Sequence, residues 1–269
     1  MGLTQGEITT ALAVARDAAR VGGAIILEGA RHPLEVDEKS ENNLVTQIDR
    51  ASEDAIVSLL VDAFPRDSIL AEEGGTKVGG ERRWVIDPLD GTTNFVLGIP
   101  HSAVSIALEV GGRSVVGVVY DPYKDELFHA VEGQGAYLNG VAIRVSRRAP
   151  LKRSVLATGF PTDIHYRMKV CLPLLVEVLG EIQALRRMGA ASLDLAYVAM
   201  GRVDGFFELR LKPWDVAAGA LLVQEAGGRV SDHTGGPIHY TNWEPPLTLA
   251  TNTLIHDELL VHLRSALGT

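Results

Sequence analysis

Apolar residues recur at helical spacing from Gly6 to Glu28, at Ile8, Leu12, Ala15, Ala19 and Ile26, which predicts a long amphipathic helix. Thr46 to Ala63 repeats the pattern with Ile48, Ala51, Ala55, Ile56, Leu59 and Leu60, and Pro65 marks its stop. Short apolar runs at Ser68–Ala71 and Trp84–Ile86 predict strands. From Ser102 to Val145, Val, Ile and Tyr dominate, and Gly111-Gly112, Asp121-Pro122 and Asn139-Gly140 fall at hairpin intervals. That stretch reads as an antiparallel meander.

Beyond Pro150 the signals alternate. Strands are expected at Val155–Thr158, Ile182–Arg187, Gly205–Glu208 and Leu247–Thr251. Helices are expected over His165–Leu179, Ser192–Met200, Trp214–Ala226 and from His256 onward. Gly227-Gly228 stops the third of these, because glycine takes the left-handed conformation without penalty. The pattern is α/β (α+β), with an antiparallel-rich first lobe over 1–148 and an alternating second lobe over 149–269. With no repeat and no low-complexity linker in the sequence, the two lobes are expected to share one interface as a single unit.

Composition narrows the function classes. Of 269 residues, 46% are hydrophobic and 22% charged, enough for a substantial core. Cys171 is the only cysteine, which excludes an internal disulfide or a multi-cysteine zinc site and suits a reducing, cytoplasmic setting. It sits in the apolar run Val170–Leu172 and reads as a small buried hydrophobe. No basic-then-apolar leader opens the sequence, and no stretch of about 18 uncharged apolar residues predicts a membrane span. The net charge is −9 and no Lys/Arg run exceeds two, so contact with nucleic acid is not indicated, although contact with nucleic acid or transcription machinery stays open. An acidic chain acting on an anion needs a local positive source, and bound cations supply one.

The most informative segment is Trp84-Val85-Ile86-Asp87-Pro88-Leu89-Asp90-Gly91-Thr92-Thr93-Asn94-Phe95. Pro88 fixes its own φ and keeps Asp87 extended, so the chain turns at the strand end. Such a turn aims two carboxylates and the Leu89 carbonyl at one point, which is oxygen chemistry for a hard cation such as Mg²⁺. Gly91 and Thr92 then open a short helix whose free N–H groups suit a phosphate. Glu72-Glu73 follow the strand Ser68–Ala71, and Asp215 opens the helix after Trp214. Each alone is ordinary surface or cap chemistry. The eight histidines show no metal-ligand spacing and read as structural or surface residues, with His101 the one near the central motif.

The run Asp87–Phe95, with Trp214-Asp215-Val216-Ala217-Ala218-Gly219 and Glu225-Ala226-Gly227-Gly228, resembles the two signatures of the inositol monophosphatase family. Leu44–Asp49 and Glu72-Glu73 resemble its upstream elements, so the likeness spans Lys39 to Gly228. The resemblance implies a layered αβαβα sugar-phosphatase fold, a homodimer, two or three Mg²⁺ ions per site and sensitivity to lithium. It implies Glu72, Asp87 and the Leu89 carbonyl at a first metal, and Asp87, Asp90 and Asp215 at a second, with Glu72 helping to hold a third. Asp49 and Thr92 would orient and deprotonate the attacking water, and the Gly91 and Thr92 amides would cradle phosphate. Ala191 and Glu208, with Asp90 and Asp215, would contact the substrate. Ala71 and Asn43 depart from the family pattern without removing a ligand, and Lys39 matches a basic position. The expected activity is phosphoric monoester hydrolysis by metal-activated water without a phosphoenzyme, with inositol monophosphate first among substrates. Fructose 1,6-bisphosphate, histidinol phosphate, 3′-phosphoadenosine 5′-phosphate and NADP are the alternatives, and a regulatory binding protein on the same scaffold is a further one.

Overall fold

A computed structural model of the chain describes residues 3–40, 43–238 and 247–268, without the side chains of residues 39, 40 and 43. The expectations for Lys39 and Asn43 therefore lie outside the described residues. The first helix, α1 (Gln5–Gly29), is opened by a Thr4–Glu7 capping box. A hairpin, β1 (Val36–Ser40) and β2 (Asn43–Thr46), leads into α2 (Gln47–Ala63). There follow β3 (Ser68–Ala71), β4 (Gly75–Lys77), β5 (Arg82–Asp90) and the short α3 (Thr92–Val96). The meander is β6 (Ala103–Val110), β7 (Arg113–Asp121), β8 (Glu126–Val131), β9 (Gly135–Leu138) and β10 (Val141–Ala142). The second half runs β11 (Val155–Thr158), α4 (Ile164–Tyr166), α5 (Leu172–Leu179), β12 (Ala184–Arg186), α6 (Ala191–Ala199) and β13 (Gly205–Glu208). It closes with α7 (Pro213–Glu225), β14 (Arg229–Ser231), β15 (Thr248–Thr251) and α8 (His256–Leu267).

These elements stack in five layers. Helices α1 and α2 cover one face of an eight-stranded sheet ordered β10-β9-β8-β7-β6-β5-β3-β4, antiparallel except where β3 runs parallel to β5. Helices α6 and α7 cover its other face and meet the five-stranded sheet β12-β11-β13-β15-β14. Helices α5 and α8 cover the far side of that sheet, with Leu174, Val178, Leu259 and Leu263 buried together. The expected αβαβα layering is borne out.

The middle layer explains why α7 shows no polar face. Val216 through Val223 are all buried, as a helix lying between two sheets requires. Gly117 of β7 lets that helix approach, since a Cβ there would stand 2.9 Å from the Ala218 carbonyl oxygen.

Two local departures from the sequence pattern stand out. Helix 165–179 is not continuous, because a π turn over Arg167–Cys171 separates α4 from α5. Pro173 gives a reason: it has no N–H, and its ring crowds the carbonyl four residues back, so a regular α turn is disfavoured there. The strand expected at Trp84–Ile86 continues through Pro88 to Asp90, with its register broken between Asp87 and Asp90. Sequence periodicity had no means of showing that bulge.

His256 is fully buried, with Nε2 2.9 Å from Ser231 Oγ and Nδ1 2.9 Å from Thr251 Oγ1. Burial pushes its pKa down to about 4. The unfolded chain accepts a proton below about 6.5 that the folded chain refuses, so this stabilisation is complete above that pH and is lost as pH falls toward 4. The loss approaches about 3 kcal/mol at the lower limit, at about 1.4 kcal/mol per pH unit. Thermal melts between pH 7 and 4 are expected to show a steep decline for the native chain and a shallower one for His256→Gln.

Candidate active site

The bulge at the end of β5 is where the acidic residues gather. Ser52 Oγ, on α2, donates to the Pro88 carbonyl at 2.9 Å and pins the turn. Asp87 is buried, and one of its oxygens accepts the Leu89 amide at 3.0 Å. Asp90 accepts both the amide and the hydroxyl of Ser192, at 2.7 and 2.5 Å, which ties the strand end to the start of α6. Gly91 then takes φ +93, and a Cβ would lie 3.0 Å from the His101 carbonyl and 3.2 Å from that of Gly189. Only glycine fits this step into α3.

Thr92 is held by its hydroxyl, 3.0 Å from Asp49 Oδ1 and 3.1 Å from the Leu89 carbonyl. Asp49 is 1% exposed and does two jobs. Its Oδ2 accepts the Thr46 amide and hydroxyl at 2.8 and 2.6 Å, completing the capping box of α2, while Oδ1 faces Thr92. The Thr92–Asp49 pairing thus forms across 43 residues.

Glu72 leaves β3 beside β5, its amide donating to the Ile86 carbonyl at 3.2 Å. Behind it the buried Glu53 accepts the amides of Glu73 and Gly74 at 2.8 and 2.5 Å. Asp215 begins α7, where its Oδ2 accepts the Lys212 amide at 2.6 Å. Ser105 Oγ donates to the Trp214 carbonyl at 3.1 Å and fixes that helix end to β6.

Electrostatics show that these carboxylates share one space. Burial raises the pKa of Asp87 well above the ordinary range, and the charges of Glu72, Asp90 and Asp215 raise it further. Asp215 is raised by burial, then by Asp90, Glu72 and Glu208. Asp90 reaches about 6 through burial, with the Ser192 bonds opposing. Glu208, at the end of β13, is pushed by burial and by Asp90 to about 8, against the pull of Arg187. Among the described residues no group of three or more His, Cys, Asp or Glu side chains is placed to hold a metal ion as it stands. Amide donors occupy one oxygen each of Asp87, Asp90 and Asp215.

A cleft of about 320 Å³ opens over this group. Glu72, Asp90, Gly91, Thr92, Ala191, Glu208 and Asp215 line it, so the structure unites seven sequence-predicted positions from both halves of the chain. Asp49, Asp87 and Leu89 are buried and tied to that lining by the bonds above. His101 does not line the cleft; its carbonyl accepts Asn94 Nδ2 at 2.9 Å and supports α3. The resemblance set Ser192 in a substrate-lining stretch, Gly189–Ser192, but not its bonds to Asp90; missed altogether were the supporting Glu53 and the cations Arg187, Arg210 and Lys212 that also line the cleft. Only Lys212, three residues before Asp215, carried a usable signal.

The profile of the Inositol monophosphatase family matches residues 7–268. The chain belongs to this family. It is 48% identical over 229 residues to the Nus factor SuhB of Escherichia coli K12, covering 84% of this chain and 86% of that protein. Its fold matches the extragenic suppressor protein suhB of Bartonella henselae with a TM-score of 0.90 at 41% identity, covering 95% and 98% of the two chains. It matches an inositol monophosphatase from Anabaena with a TM-score of 0.86 at 39% identity, covering 96% and 97%. Family membership supports a phosphatase, and the bulge, the capping-box aspartate and the start of α7 are the parts of this chain that build its cleft. No helix among the described residues is long and apolar enough to cross a membrane.

Proposed function

We propose that the chain hydrolyses a phosphate monoester with Mg²⁺ as cofactor, two or three ions per site, and that inositol monophosphate is its first substrate. One observation carries the reading: carboxylates from β5, the loop after β3 and the start of α7 crowd a single cleft, where burial and the charges of Glu72 and Asp90 raise the proton affinity of both Asp87 and Asp215. Such a cluster is unfavourable alone and is relieved by divalent cations, which prefer carboxylate and carbonyl oxygens. The donor set therefore fits Mg²⁺. Glu72, Asp87 and the Leu89 carbonyl would hold one ion, and Asp87, Asp90 and Asp215 another. When bound, the ions supply water activation and neutralise the phosphate charge.

The remaining steps fall to the chain's own groups. Thr92 Oγ1 can pass its proton toward Asp49 Oδ1 at 3.0 Å and accept one from the attacking water. The amides of Gly91 and Thr92 orient the phosphate, and Glu208 and Ala191 contact the polyol. A homodimer in the cytoplasm is the assembly and location that accompany this reading. The test is phosphate release with Mg²⁺ from inositol 1-phosphate, fructose 1,6-bisphosphate, histidinol phosphate, 3′-phosphoadenosine 5′-phosphate and NADP. Release from none of them refutes the reading, and a preference for the adenosine compound overturns the choice of substrate.

Glu53 is proposed to hold the Glu72 loop. Glu53→Ala frees the Glu73 and Gly74 amides, and a supporting residue of this kind is worth roughly 10–100-fold in metal affinity. Titrating activity against Mg²⁺ should show that shift with the maximal rate largely kept.

Relatives that carry the name Nus factor favour a second reading, in which this chain also contacts transcription machinery. A pull-down with purified components, beside the phosphate-release assay, separates the two roles.

A further inference from the structure

Strands β11 and β13 run parallel with Thr158 opposite Phe207, so the next residues out, Gly159 and Glu208, stand side by side at the lip of the cleft. Thr158 Oγ1 donates to the Phe207 carbonyl at 2.7 Å and locks the two strand ends together. Asp49, Asp87, Asp90 and Asp215 are each held by at least one backbone amide. Glu208 has no such tether. Among the described residues nothing donates a hydrogen bond to its carboxylate, on which only burial and the charges of Asp90 and Arg187 act. A side chain with that many rotamers stays in one place only under a packing constraint.

Gly159 supplies it. A Cβ at this position would stand 2.1 and 2.4 Å from the two Glu208 carboxylate oxygens and 2.3 Å from the carbon between them, so the carboxylate rests directly on the bare glycine. The φ of Gly159 lies outside the left-handed region, and its backbone alone would admit alanine. What excludes a side chain there is Glu208. Beside the carboxylate, Phe160, Cys171, Leu174 and Phe207 enclose a void of about 10 Å³, room for one water at most. A carboxylate displaced from Gly159 therefore finds open space only on the cleft side.

We infer that Gly159 is a positioning residue that sets how far Glu208 reaches into the cleft, and with it the fit of the polyol carried by the phosphate ester. The missing side chain lets the carboxylate sit back against the wall with both oxygens open to hydroxyl donors. A methyl group at 159 would push it by on the order of 1 Å toward the substrate before ordinary contact distances are restored. Asp90 and Thr92 have bonds of their own and keep their places, so the phosphate end of the cleft is spared. The inference rests on the phosphatase reading above and adds to it the residue that seats Glu208.

The test is the ratio of kcat/KM for inositol 1-phosphate to that for p-nitrophenyl phosphate, with Mg²⁺, in the native chain, Gly159→Ala, Glu208→Asp and the double variant. The aryl ester offers Glu208 no hydroxyl, so the ratio isolates the polyol contact from the chemistry at phosphorus. Gly159→Ala is expected to lower the ratio about tenfold, chiefly through KM for the polyol ester. Aspartate is one methylene shorter and clears the new methyl group, so the double variant should lose less than the product of the two single losses. The same rescue is expected in a thermal melt, where Glu208→Asp restores the stability that Gly159→Ala removes. An unchanged ratio in Gly159→Ala, an equal loss on both esters, losses that simply multiply in the double variant, or a native chain active on the aryl ester and inert toward the polyol overturns the inference alone. Release from neither ester, with the wider panel also negative, overturns the phosphatase reading as well.

Discussion

Asp87→Asn is expected to lower phosphate release by on the order of 10³-fold without lowering the melting temperature, equivalent to about 4 kcal/mol of transition-state stabilisation. Asparagine keeps an acceptor for the Leu89 amide, now 3.0 Å from Asp87 Oδ1, so the bulge survives. It also removes a buried charge that burial and the carboxylates of Glu72, Asp90 and Asp215 all disfavour, which favours the fold. Stability and activity should therefore move apart. Initial rates at saturating Mg²⁺, beside a thermal melt, give both readings. Native turnover in the variant would remove Asp87 from the proposed site, and a trapped phospho-aspartate in the parent would replace the direct-water reading.

Gly117→Val should destabilise the chain by about 3 kcal/mol or more, although valine is the better strand former. A Cβ at this position meets the Ala218 carbonyl oxygen at 2.9 Å and its Cα at 3.1 Å. Both belong to the backbone of a buried helix, so neither can swing away as a side-chain tip would. The helix must lift, and it carries Asp215 at its first turn. A fall in the denaturant midpoint at constant slope should accompany a fall in activity. A variant with the parent's midpoint would show that the middle layer is looser than the contacts of α7 imply.

Much of this architecture was legible because it rests on local rules. Helices α1 and α2 follow from amphipathic spacing and their caps, and α7 from an apolar run stopped by Gly227-Gly228. The run Asp87–Phe95 located the cleft because a proline, two aspartates and a glycine constrain the backbone within nine residues. What escaped is set by distance along the chain. Ser192 meets Asp90 across 102 residues, and Glu53 meets Gly74 across 21. No local pattern marks either contact. The hairpin β1–β2 was missed because its strands are short and polar, and the π turn because periodicity averages over one extra residue. Arg210 belongs to this group, since nothing in Leu209-Arg210-Leu211 indicates that its arginine takes φ +63.

Helices α6 and α7 have a sheet on either side, and their central turns, 193–199 and 216–223, cannot reach solvent unless the stack itself parts. Their amides should be the slowest in the chain to exchange hydrogen with water, and should do so only through opening of the whole molecule. The outer helices, α1 and α8, can fray singly and exchange sooner. Apart from the cleft that Asp215 lines, solvent thus enters this protein from its two faces inward, and the central turns of the middle layer are the last it reaches.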